Sequence, residues 1–311
     1  MKIYLNLDSK VDAFAFKKDH VSELESVFPG LEAIQVHKTS ELGSGLADAD
    51  FVATWRFPAD FYGQAPRLKA VFTPAAGREY VDADPDGRVP VFYGTFHGIL
   101  MAESLLSMML YFNRKMGLLI DNKGRRLWSR EGLSECRSLL VQRVLIVGYG
   151  NIGRACARAL SALGCSVTGV RRTPSLADTN KRVRNVVRSE EMGPFLEKAD
   201  HVVLALPGGE QTAKIFTRDH FARMKRSAYV YNLGRGNCYL EEDLIWAIEA
   251  GRIAGAGLDV FAEEPLPETS KLWDLSNVLI MPHASAIYDD YMDLFLAEMM
   301  GRLQPLISEA R

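Results

Sequence analysis

The feature that most constrains this chain is a strand, a glycine-rich turn and a helix in direct succession. The apolar residues 144–147 lead into Gly148-Tyr149-Gly150-Asn151-Ile152-Gly153, and helix-forming residues follow. A dinucleotide site is built in this G-x-G-x-x-G order. The first glycine permits a tight turn, the second lets the backbone approach a pyrophosphate, and the third lets the helix pack close to the strand. The N–H groups of the helix N-terminus then face the phosphates.

The end of the next predicted strand indicates which dinucleotide the site prefers. Residues 166–170 are followed by Arg171 and Arg172, and no Asp or Glu stands there to bind a ribose 2′-hydroxyl. Two guanidinium groups suit the 2′-phosphate of NADP, because arginine offers a planar fork of donors. More positive charge follows at Lys181, Arg182, Arg184 and Arg188. The pattern favours NADP(H), with NAD possible, and a solvated basic face is the alternative interpretation.

Length, net charge and cysteine spacing limit the kinds of domain, partner and metal site that this chain can have. A chain of 311 residues is long enough for two domains with full-sized cores. The net charge of −2 gives no overall attraction to nucleic acid or to anionic membranes, so neither is expected as a partner. The four cysteines have no C-x-x-C spacing and no clustered histidines. No metal site is therefore expected, and a reducing cytoplasm is the expected location.

Short apolar strands alternate with helical segments in two stretches, which predicts two parallel α/β sheets. The strands expected in the first stretch are residues 3–7, 33–36, 51–54, 70–73 and 89–92. Helices are expected at 12–28 and 58–62, with short helical pieces between them. A long helix is expected over residues 98–116, and a polar, Arg-rich arm over 122–138. The six strands expected in the second stretch are residues 141–147, 166–170, 201–205, 228–232, 255–258 and 278–281. The helices expected there are residues 152–163, 189–197 and 241–250, and a last amphipathic helix is expected over 289–307.

Three segments stand at predicted carboxyl ends of strands, where open α/β sheets bind ligands. They are residues 232–236, 257–267 and 281–285. Each supplies a residue type that ketone reduction needs. Arg235 can clamp a carboxylate and polarise the adjacent carbonyl, His283 can give a proton to the developing alkoxide, and Glu264 can hold the imidazole. For the histidines at 20, 37, 201 and 220 a structural role is expected, whereas His97 is left open.

The sequence resembles the D-2-hydroxyacid dehydrogenase family over nearly its whole length. The resemblance rests on Asn-x-x-Arg-Gly, Leu-Asp-Val-Phe-x-x-Glu-Pro-Leu-Pro and Pro-His, found in that order in the three segments. It implies that Arg235 binds substrate, that Glu264 is the acid beside the histidine, and that His283 is the general acid/base. It also implies that Asp259 contacts the nicotinamide carboxamide. The cofactor-binding residues expected in all are Gly148, Gly150, Asn151, Ile152, Gly153, Arg171, Arg172, Leu206, Pro207, Leu233, Gly234 and Asp259.

The same resemblance implies discontinuous domains. A flavodoxin-like substrate domain would comprise residues 1–97 and 287–311, with a Rossmann dinucleotide-binding domain, residues 98–286, inserted into it. The turn at Ala75, Ala76 and Gly77 corresponds to the family loop whose backbone N–H groups bind the substrate carboxylate. Its side chains differ from the commoner Arg-Gly-x-Gly form, so the substrate stays open. A homodimer through the long helix and the Arg-rich arm is also implied.

We therefore predict a cytoplasmic oxidoreductase that transfers a hydride between NADP(H) and a 2-oxo acid/(R)-2-hydroxy acid pair. Glyoxylate, hydroxypyruvate and longer or aromatic 2-oxo acids are all compatible substrates. The alternative is a non-catalytic, dinucleotide-sensing binding protein of the corepressor type, because one fold serves several functions. The intact set of Arg235, Glu264 and His283 favours the enzyme.

Overall fold

A computed structural model describes residues 1–179, 183 and 185–308 of the chain. The chain divides into two compact units, Met1–His97 with Ile287–Arg311, and Gly98–Ala286. Each unit contains one parallel β-sheet with helices packed on it. The predicted fold class, two doubly wound α/β domains, is confirmed.

The first unit is built on a five-stranded sheet. Its strands are β1 (Lys2–Asn6), β2 (Glu32–Gln35), β3 (Phe51–Thr54), β4 (Ala70–Thr73) and β5 (Val91–Tyr93). They lie in the order β2-β1-β3-β4-β5, the flavodoxin-like order, and every neighbouring pair is parallel. The α-helices described here are Lys18–Val27, Thr39–Gly45 and Tyr291–Ser308. All residues of β3 and β4 are buried, as expected of central strands covered on both faces.

The second unit is built on a seven-stranded sheet. Its strands are β6 (Arg143–Val147), β7 (Ser166–Val170), β8 (Asn185–Val187), β9 (His201–Leu204), β10 (Tyr229–Asn232), β11 (Gly255–Leu258) and β12 (Val278–Ile280). Their order is β12-β11-β10-β9-β6-β7-β8, and all neighbours are parallel. The strand order reverses between β6 and β9, which is the point where such sheets bind ligands. The carboxyl ends of all seven strands meet at one edge.

Helices cover both faces of the second sheet. They are His97–Asn113, Met116–Gly124, Asn151–Ala162, Gly193–Leu196, Arg218–Arg223 and Glu241–Glu249. Alternate side chains of β6 enter separate cores, with Val144 and Ile146 on one face and Leu145 and Val147 on the other. Short 3-10 turns occur in the two units at Asp12–Phe14, Leu46–Asp48, Ala59–Gln64, Leu133–Glu135, Leu176–Asp178, Ser189–Glu191, Glu210–Thr212, Gly236–Cys238 and Lys271–Asp274.

The structure corrects the predicted number of strands in the second sheet. The prediction of six strands in the second sheet is wrong, because β8 is a seventh. This strand has three partly buried or exposed residues, so no apolar period marks it in the sequence. Lys181, Arg182 and Arg184, which belong to the predicted basic cluster, lie outside the described residues.

The predicted helices also differ in their bounds. The helix expected over residues 12–28 is a short turn followed by Lys18–Val27, because the N–H of buried Phe16 donates to the Leu7 carbonyl and draws the chain out of the helix. The long helix ends at Asn113 rather than at 116, since Lys115 takes a φ of 54°. Met116–Gly124 then continues as a second helix into the expected arm. Thr39–Gly45 is one of the short helical pieces expected between residues 28 and 58, whereas Arg218–Arg223 was not predicted, being too short for a clear helical period. Among the described helices, none is long and apolar enough to cross a membrane.

Candidate active site

The glycine loop after β6 is packed at its first and third glycines, as its spacing predicts. Gly148 has a φ of 103°, and a Cβ added there would lie 2.3 Å from the Ala205 carbonyl oxygen. A Cβ on Gly153 would lie 2.2 Å from the Gly148 carbonyl oxygen, so the helix packs directly on the turn. A Cβ on Gly150, by contrast, would meet no atom within 4 Å. Packing therefore requires the first and third glycines, whereas the second borders open space.

The open side of the loop coincides with a helix N-terminus. Gly150 is the N-cap residue of Asn151–Ala162, so Asn151 and Ile152 form its first turn. Asn151 is exposed and Ile152 is half-buried. The first N–H groups of a helix lack intrahelical partners and attract anions. This edge fits a pyrophosphate group, and the residues present therefore fit a dinucleotide.

The arginines at the end of β7 have partners that the sequence did not indicate. The Nη1 of Arg171 lies 2.6 Å from Oδ1 of Asp178, and the Arg154 guanidinium pairs with the same carboxylate. Asp178 is 1% exposed and also accepts hydrogen bonds from the N–H and hydroxyl of Ser175. Burial raises the pKa of Asp178, but those hydrogen bonds and the two arginines outweigh it, so the pKa is lowered overall. An ionised carboxylate thus holds Arg171 and Arg154 together.

The neighbouring Arg172 is exposed and donates to the Gln211 side chain. Arg171 itself is about two-fifths exposed, with a side-chain exposure of 41%. Both guanidinium groups thus remain accessible at the carboxyl edge of the sheet. No sequence pattern marked Asp178, because it is brought to Arg171 by a short irregular turn rather than by a strand or helix period.

The residues after β9 and β10 pack backbone against backbone. A Cβ on Gly234 would lie 2.4 Å from the carbonyl oxygen of Leu206, so only glycine fits. The N–H of Leu233 donates to the Leu204 carbonyl at 2.9 Å. Leu206 is half-buried and Pro207 is exposed. These predicted cofactor residues therefore lie side by side, next to the switch point of the sheet.

Arg235 follows directly, and its backbone is held by Asn232. The buried Asn232 amide donates to the Arg235 carbonyl at 3.1 Å, and its side-chain oxygen accepts from the Gly234 N–H at 3.1 Å. The half-buried Arg235 donates from Nη1 to the Gly234 carbonyl at 2.8 Å. In the sequence, Asn232 is only the first residue of the Asn-x-x-Arg-Gly motif. In the structure, its side chain holds the turn that carries Arg235.

Glu264 and His283 form a hydrogen-bonded pair. The Nδ1 of His283 lies 2.7 Å from Oε2 of Glu264, and Oε1 of the same carboxylate accepts from the Phe261 N–H at 3.0 Å. The side chains are 43% and 36% exposed, respectively. Within the described part of the chain, Nε2 of His283 makes no hydrogen bond. The imidazole is therefore oriented through one nitrogen and presents the other to a ligand.

The turn that carries His283 is held in an unusual backbone conformation. His283 has a φ of 50°, in the left-handed region that few non-glycine residues adopt. Its N–H donates to the Asp259 carbonyl at 2.8 Å. The buried Asp259 carboxylate accepts from the N–H groups of Ala284 and Ser285 at 2.7 and 3.0 Å, and from the Ser285 hydroxyl. Asp259 therefore positions the histidine turn, and its contact with the nicotinamide carboxamide stays a prediction.

The topology brings the three segments together. Arg235 follows β10, Glu264 follows β11 and His283 follows β12, and these three parallel strands are neighbours. A Cβ on Gly236 would lie 1.9 Å from the Phe261 carbonyl carbon, so the arginine turn touches the segment that leads to Glu264. A cationic fork and a histidine–carboxylate pair thus share one edge of the sheet.

The residues predicted to form the substrate loop belong to the first unit. Ala75 is buried, Ala76 is exposed and Gly77 is half-buried, in an irregular loop after β4.

The histidines for which a structural role is expected are hydrogen-bonded to protein side chains. The pairs are His20 with Asp293, His37 with Asp8, His201 with Gln142 and Tyr231, and His220 with Thr217. His97 is 5% exposed and bonds to the buried Tyr291.

Comparison with known proteins identifies the family. The family model described as "D-isomer specific 2-hydroxyacid dehydrogenase, NAD binding domain" matches residues 106–285, more than half of the chain. The chain belongs to the D-isomer specific 2-hydroxyacid dehydrogenase family. The predicted family, the enzyme class and a nicotinamide dinucleotide as cofactor are thereby confirmed, against the alternative of a binding protein.

The chain is also similar to individual members of this family. A glyoxylate/hydroxypyruvate reductase A of Photorhabdus laumondii is 30% identical over 251 residues, which is 77% of each chain. A D-isomer specific 2-hydroxyacid dehydrogenase of Xanthobacter autotrophicus, solved with NADPH and MES, aligns with a TM-score of 0.82 and 26% identity over 99% of this chain and 95% of that one. An NADPH-dependent glyoxylate/hydroxypyruvate reductase of Sinorhizobium meliloti, solved with NADP and sulfate, has a TM-score of 0.78 and 26% identity over 98% and 95%.

Proposed function

We propose that this dehydrogenase reduces small 2-oxo acids to (R)-2-hydroxy acids with NADPH, with glyoxylate and hydroxypyruvate among its substrates. The observation that carries the proposal is the 2.7 Å contact between His283 Nδ1 and Glu264 Oε2, beside the turn that presents Arg235. The names of the Photorhabdus and Sinorhizobium relatives support the substrate class. A panel of 2-oxo acids, assayed by NADPH consumption, tests it, and absence of turnover on every member would refute it.

The proposed roles follow from the charge that develops during reduction. When bound, NADPH supplies the hydride that reaches the carbonyl carbon. Arg235 binds the substrate carboxylate and polarises the carbonyl, because its planar fork matches two oxygens. Protonated His283 gives its Nε2 proton to the carbonyl oxygen as negative charge forms there. Glu264 stabilises the imidazolium through Nδ1 and fixes the ring orientation.

The remaining predicted residues are proposed to hold the ligands. The loop of Ala75, Ala76 and Gly77 binds the substrate carboxylate through the backbone N–H groups of Ala76 and Gly77, since the Ala75 N–H donates to the Thr73 hydroxyl. The glycine loop and the first turn of its helix hold the pyrophosphate, and Arg171 and Arg172 hold the 2′-phosphate. The NADP-bound structures of the Xanthobacter and Sinorhizobium proteins support this preference. The proposed substrate domain is the unit Met1–His97 with Ile287–Arg311, and the proposed cofactor domain is Gly98–Ala286.

Cofactor preference is expected to depend on Arg171. In wild type, kcat/KM should be higher with NADPH than with NADH. Arg171→Ser removes one charge-assisted hydrogen bond to the 2′-phosphate, so kcat/KM for NADPH should fall by about tenfold or more while that for NADH is spared. Arg171→Asp should favour NADH further, because an acid repels the 2′-phosphate.

The serine variant is needed because Arg171→Asp also places a second carboxylate beside the buried Asp178. Arg226→Asp is the matched control: it makes the same charge change at an exposed site just before β10, at the opposite edge of the sheet. Equal efficiency of the wild type with both cofactors, or an Arg226→Asp effect as large as that of Arg171→Asp, would contradict the assignment.

Turnover is expected to depend on the contact between His283 and Glu264. The Glu264 carboxylate lies 2.7 Å from Nδ1 of the imidazole and orients the ring. Glu264→Gln keeps the shape of the side chain and removes its negative charge, so one charge-assisted hydrogen bond to the ring is lost. We expect kcat for reduction to fall by about tenfold or more, while the dissociation constant of NADPH stays unchanged.

Glu263→Gln is the control for this variant, because Glu263 is the adjacent exposed carboxylate and is expected to be a surface residue. It should leave kcat unchanged. Equal kcat in wild type and in Glu264→Gln would show that Glu264 does not act on His283.

A homodimer is proposed for the second unit. The helices His97–Asn113 and Met116–Gly124 and the arm after them expose Ile99, Ile120 and Trp128, which are 56%, 60% and 94% exposed. Exposed apolar side chains concentrated in one region are typical of an association surface. A molar mass of one chain by light scattering would refute the dimer.

A further inference from the structure

The loop at residues 74–77 is held through its carbonyl groups. The Pro74 carbonyl accepts a hydrogen bond from the Tyr291 hydroxyl at 3.2 Å. The Ala75 carbonyl accepts from the Gly94 N–H at 3.1 Å, and the Ala75 N–H donates to the Thr73 hydroxyl at 3.3 Å. The two peptide planes that follow Pro74 and Ala75 are therefore fixed by contacts from within the first unit.

The Ala75 N–H is used within the loop, whereas the next two N–H groups are available. Among the described residues, the N–H groups of Ala76 and Gly77 donate no hydrogen bond. In a trans peptide the N–H points opposite to the carbonyl. With the Ala75 carbonyl turned toward Gly94, the Ala76 N–H points away from Gly94. An anion bound at this loop would meet a donor whose direction is set before binding, which lowers the cost of ordering it.

The Tyr291 hydroxyl connects this loop to His97. Tyr291 is 3% exposed, and its oxygen lies 2.8 Å from Nε2 of His97. A carbonyl cannot donate, so the hydroxyl proton goes to Pro74 and the hydroxyl oxygen accepts from His97 Nε2–H. Burial lowers the pKa of His97 to about 4, so the ring carries one proton at ordinary pH. Because the Tyr291 hydroxyl donates to Pro74, the hydrogen bond between His97 and Tyr291 requires that proton on Nε2. The result is a directed chain of hydrogen bonds from His97 through Tyr291 to Pro74.

Aromatic packing holds the Tyr291 ring in place independently of these bonds. Its centroid lies 4.6 Å from that of Phe14, 4.8 Å from Phe96 and 6.3 Å from Trp55. Separations in this range are favourable for aromatic pairs. A phenylalanine would therefore keep the packing and lose only the hydroxyl.

We propose that Tyr291, supported by His97, is a positioning residue that orients the residue 74–77 loop for binding of the substrate carboxylate. This inference rests on the proposed function, because it takes the loop as the carboxylate site. Tyr291 acts through the loop backbone and touches no reacting atom. Its loss should thus weaken substrate binding more than it slows the proton or hydride step.

The test is Tyr291→Phe, compared with Tyr62→Phe. Loss of the hydroxyl should raise KM for the 2-oxo acid about five- to tenfold, with little change in kcat and no change in the dissociation constant of NADPH. Binding of oxamate, an unreactive carboxylate of similar shape, to the NADP-loaded enzyme should weaken by the same factor in calorimetry. Tyr62 is also a buried tyrosine of the first unit that donates to a backbone carbonyl, that of Asp82, so Tyr62→Phe should leave KM unchanged.

Variants of His97 separate the hydrogen bond from packing. His97→Gln keeps an N–H donor at the position of Nε2 and should retain most of the wild-type KM, whereas His97→Leu should behave like Tyr291→Phe. Hydrogen exchange gives a readout without catalysis. The Gly94 amide, which donates to the loop, should exchange faster in Tyr291→Phe than in wild type or in Tyr62→Phe.

The outcomes of these experiments test the positioning role of Tyr291 separately from the proposed reductase function. Unchanged KM, oxamate binding and Gly94 exchange in Tyr291→Phe would overturn the positioning role even in an active reductase. An equal rise of KM in Tyr62→Phe would also overturn it, in favour of general loosening of the unit. Faster Gly94 exchange and weaker oxamate binding, in a wild type that reduces no 2-oxo acid, would instead refute the proposed function and support the role of Tyr291.

Discussion

Replacing His283 with alanine is expected to lower kcat for 2-oxo acid reduction by about 10²- to 10⁴-fold, the usual cost of losing a general acid/base. Hydride transfer leaves negative charge on the carbonyl oxygen, and the imidazolium is the proton donor oriented toward ligand by its bond to Glu264. The same ring must accept the proton in the reverse direction, so oxidation should fall by a similar factor. NADPH binding, measured by fluorescence titration, should be unchanged, because the His283 side chain is proposed to act on the substrate and not to bind the dinucleotide.

The chain contains a closely matched control for this variant. His37 pairs through Nδ1 with Oδ2 of Asp8 at 2.7 Å, the same separation as in the His283–Glu264 pair, and it is exposed in the first unit. His37→Ala should therefore leave turnover unchanged. Retention of more than about a tenth of wild-type kcat in His283→Ala would exclude general acid/base catalysis by this residue.

Replacing Arg235 with lysine is expected to lower kcat/KM for the 2-oxo acid by about ten- to hundredfold, the cost of one charge-assisted hydrogen bond. Lysine keeps the positive charge but presents a point charge instead of a planar fork. The carboxylate and the carbonyl would then no longer be held together, so both KM and kcat should suffer. The buried Asn232 holds the turn through the Arg235 backbone, and the variant therefore keeps its loop conformation.

Arg223→Lys is the matched control, because Arg223 also uses its fork, donating from Nε and Nη2 to Glu197, but on the helix Arg218–Arg223. Its kinetics should equal those of wild type. Normal 2-oxo acid kinetics in Arg235→Lys would remove Arg235 from the site, and a parallel loss of NADPH affinity would reassign it to cofactor binding.

Local patterns were enough to predict the fold class and most of the elements. Strands β3, β4, β7 and β11 have the predicted bounds, because buried parallel strands are short apolar runs bordered by polar residues. The glycine loop was predictable for a similar reason, since each glycine role depends on its immediate neighbours. Elements without such a local signal were missed, and β8 is the example: three residues that are strand only because they pair with β7.

The candidate catalytic and binding residues could be predicted from the sequence, but the groups that hold their side chains in place could not. Nothing in the sequence indicates that Asp178 holds Arg171, because the segment between them contains no strand or α-helix whose period could mark the contact. Likewise, the Phe261 N–H that orients Glu264 is a backbone group, which no residue pattern can mark. The link from Tyr291 to Pro74 joins positions 217 residues apart, so it exists only once the last helix has packed on the first unit.

Most of the strands, turns and helices, and the residue types at the strand ends, could be predicted from the sequence. These properties depend on periodicity and on glycine stereochemistry, which act over a few residues. The pairing of hydrogen-bonding groups, by contrast, depends on the tertiary structure. It made Asp259 a support for the His283 turn and put Asp178 beside two arginines. Directional interactions of this kind require separate parts of the chain to meet within about 3 Å, and that is a property of packing.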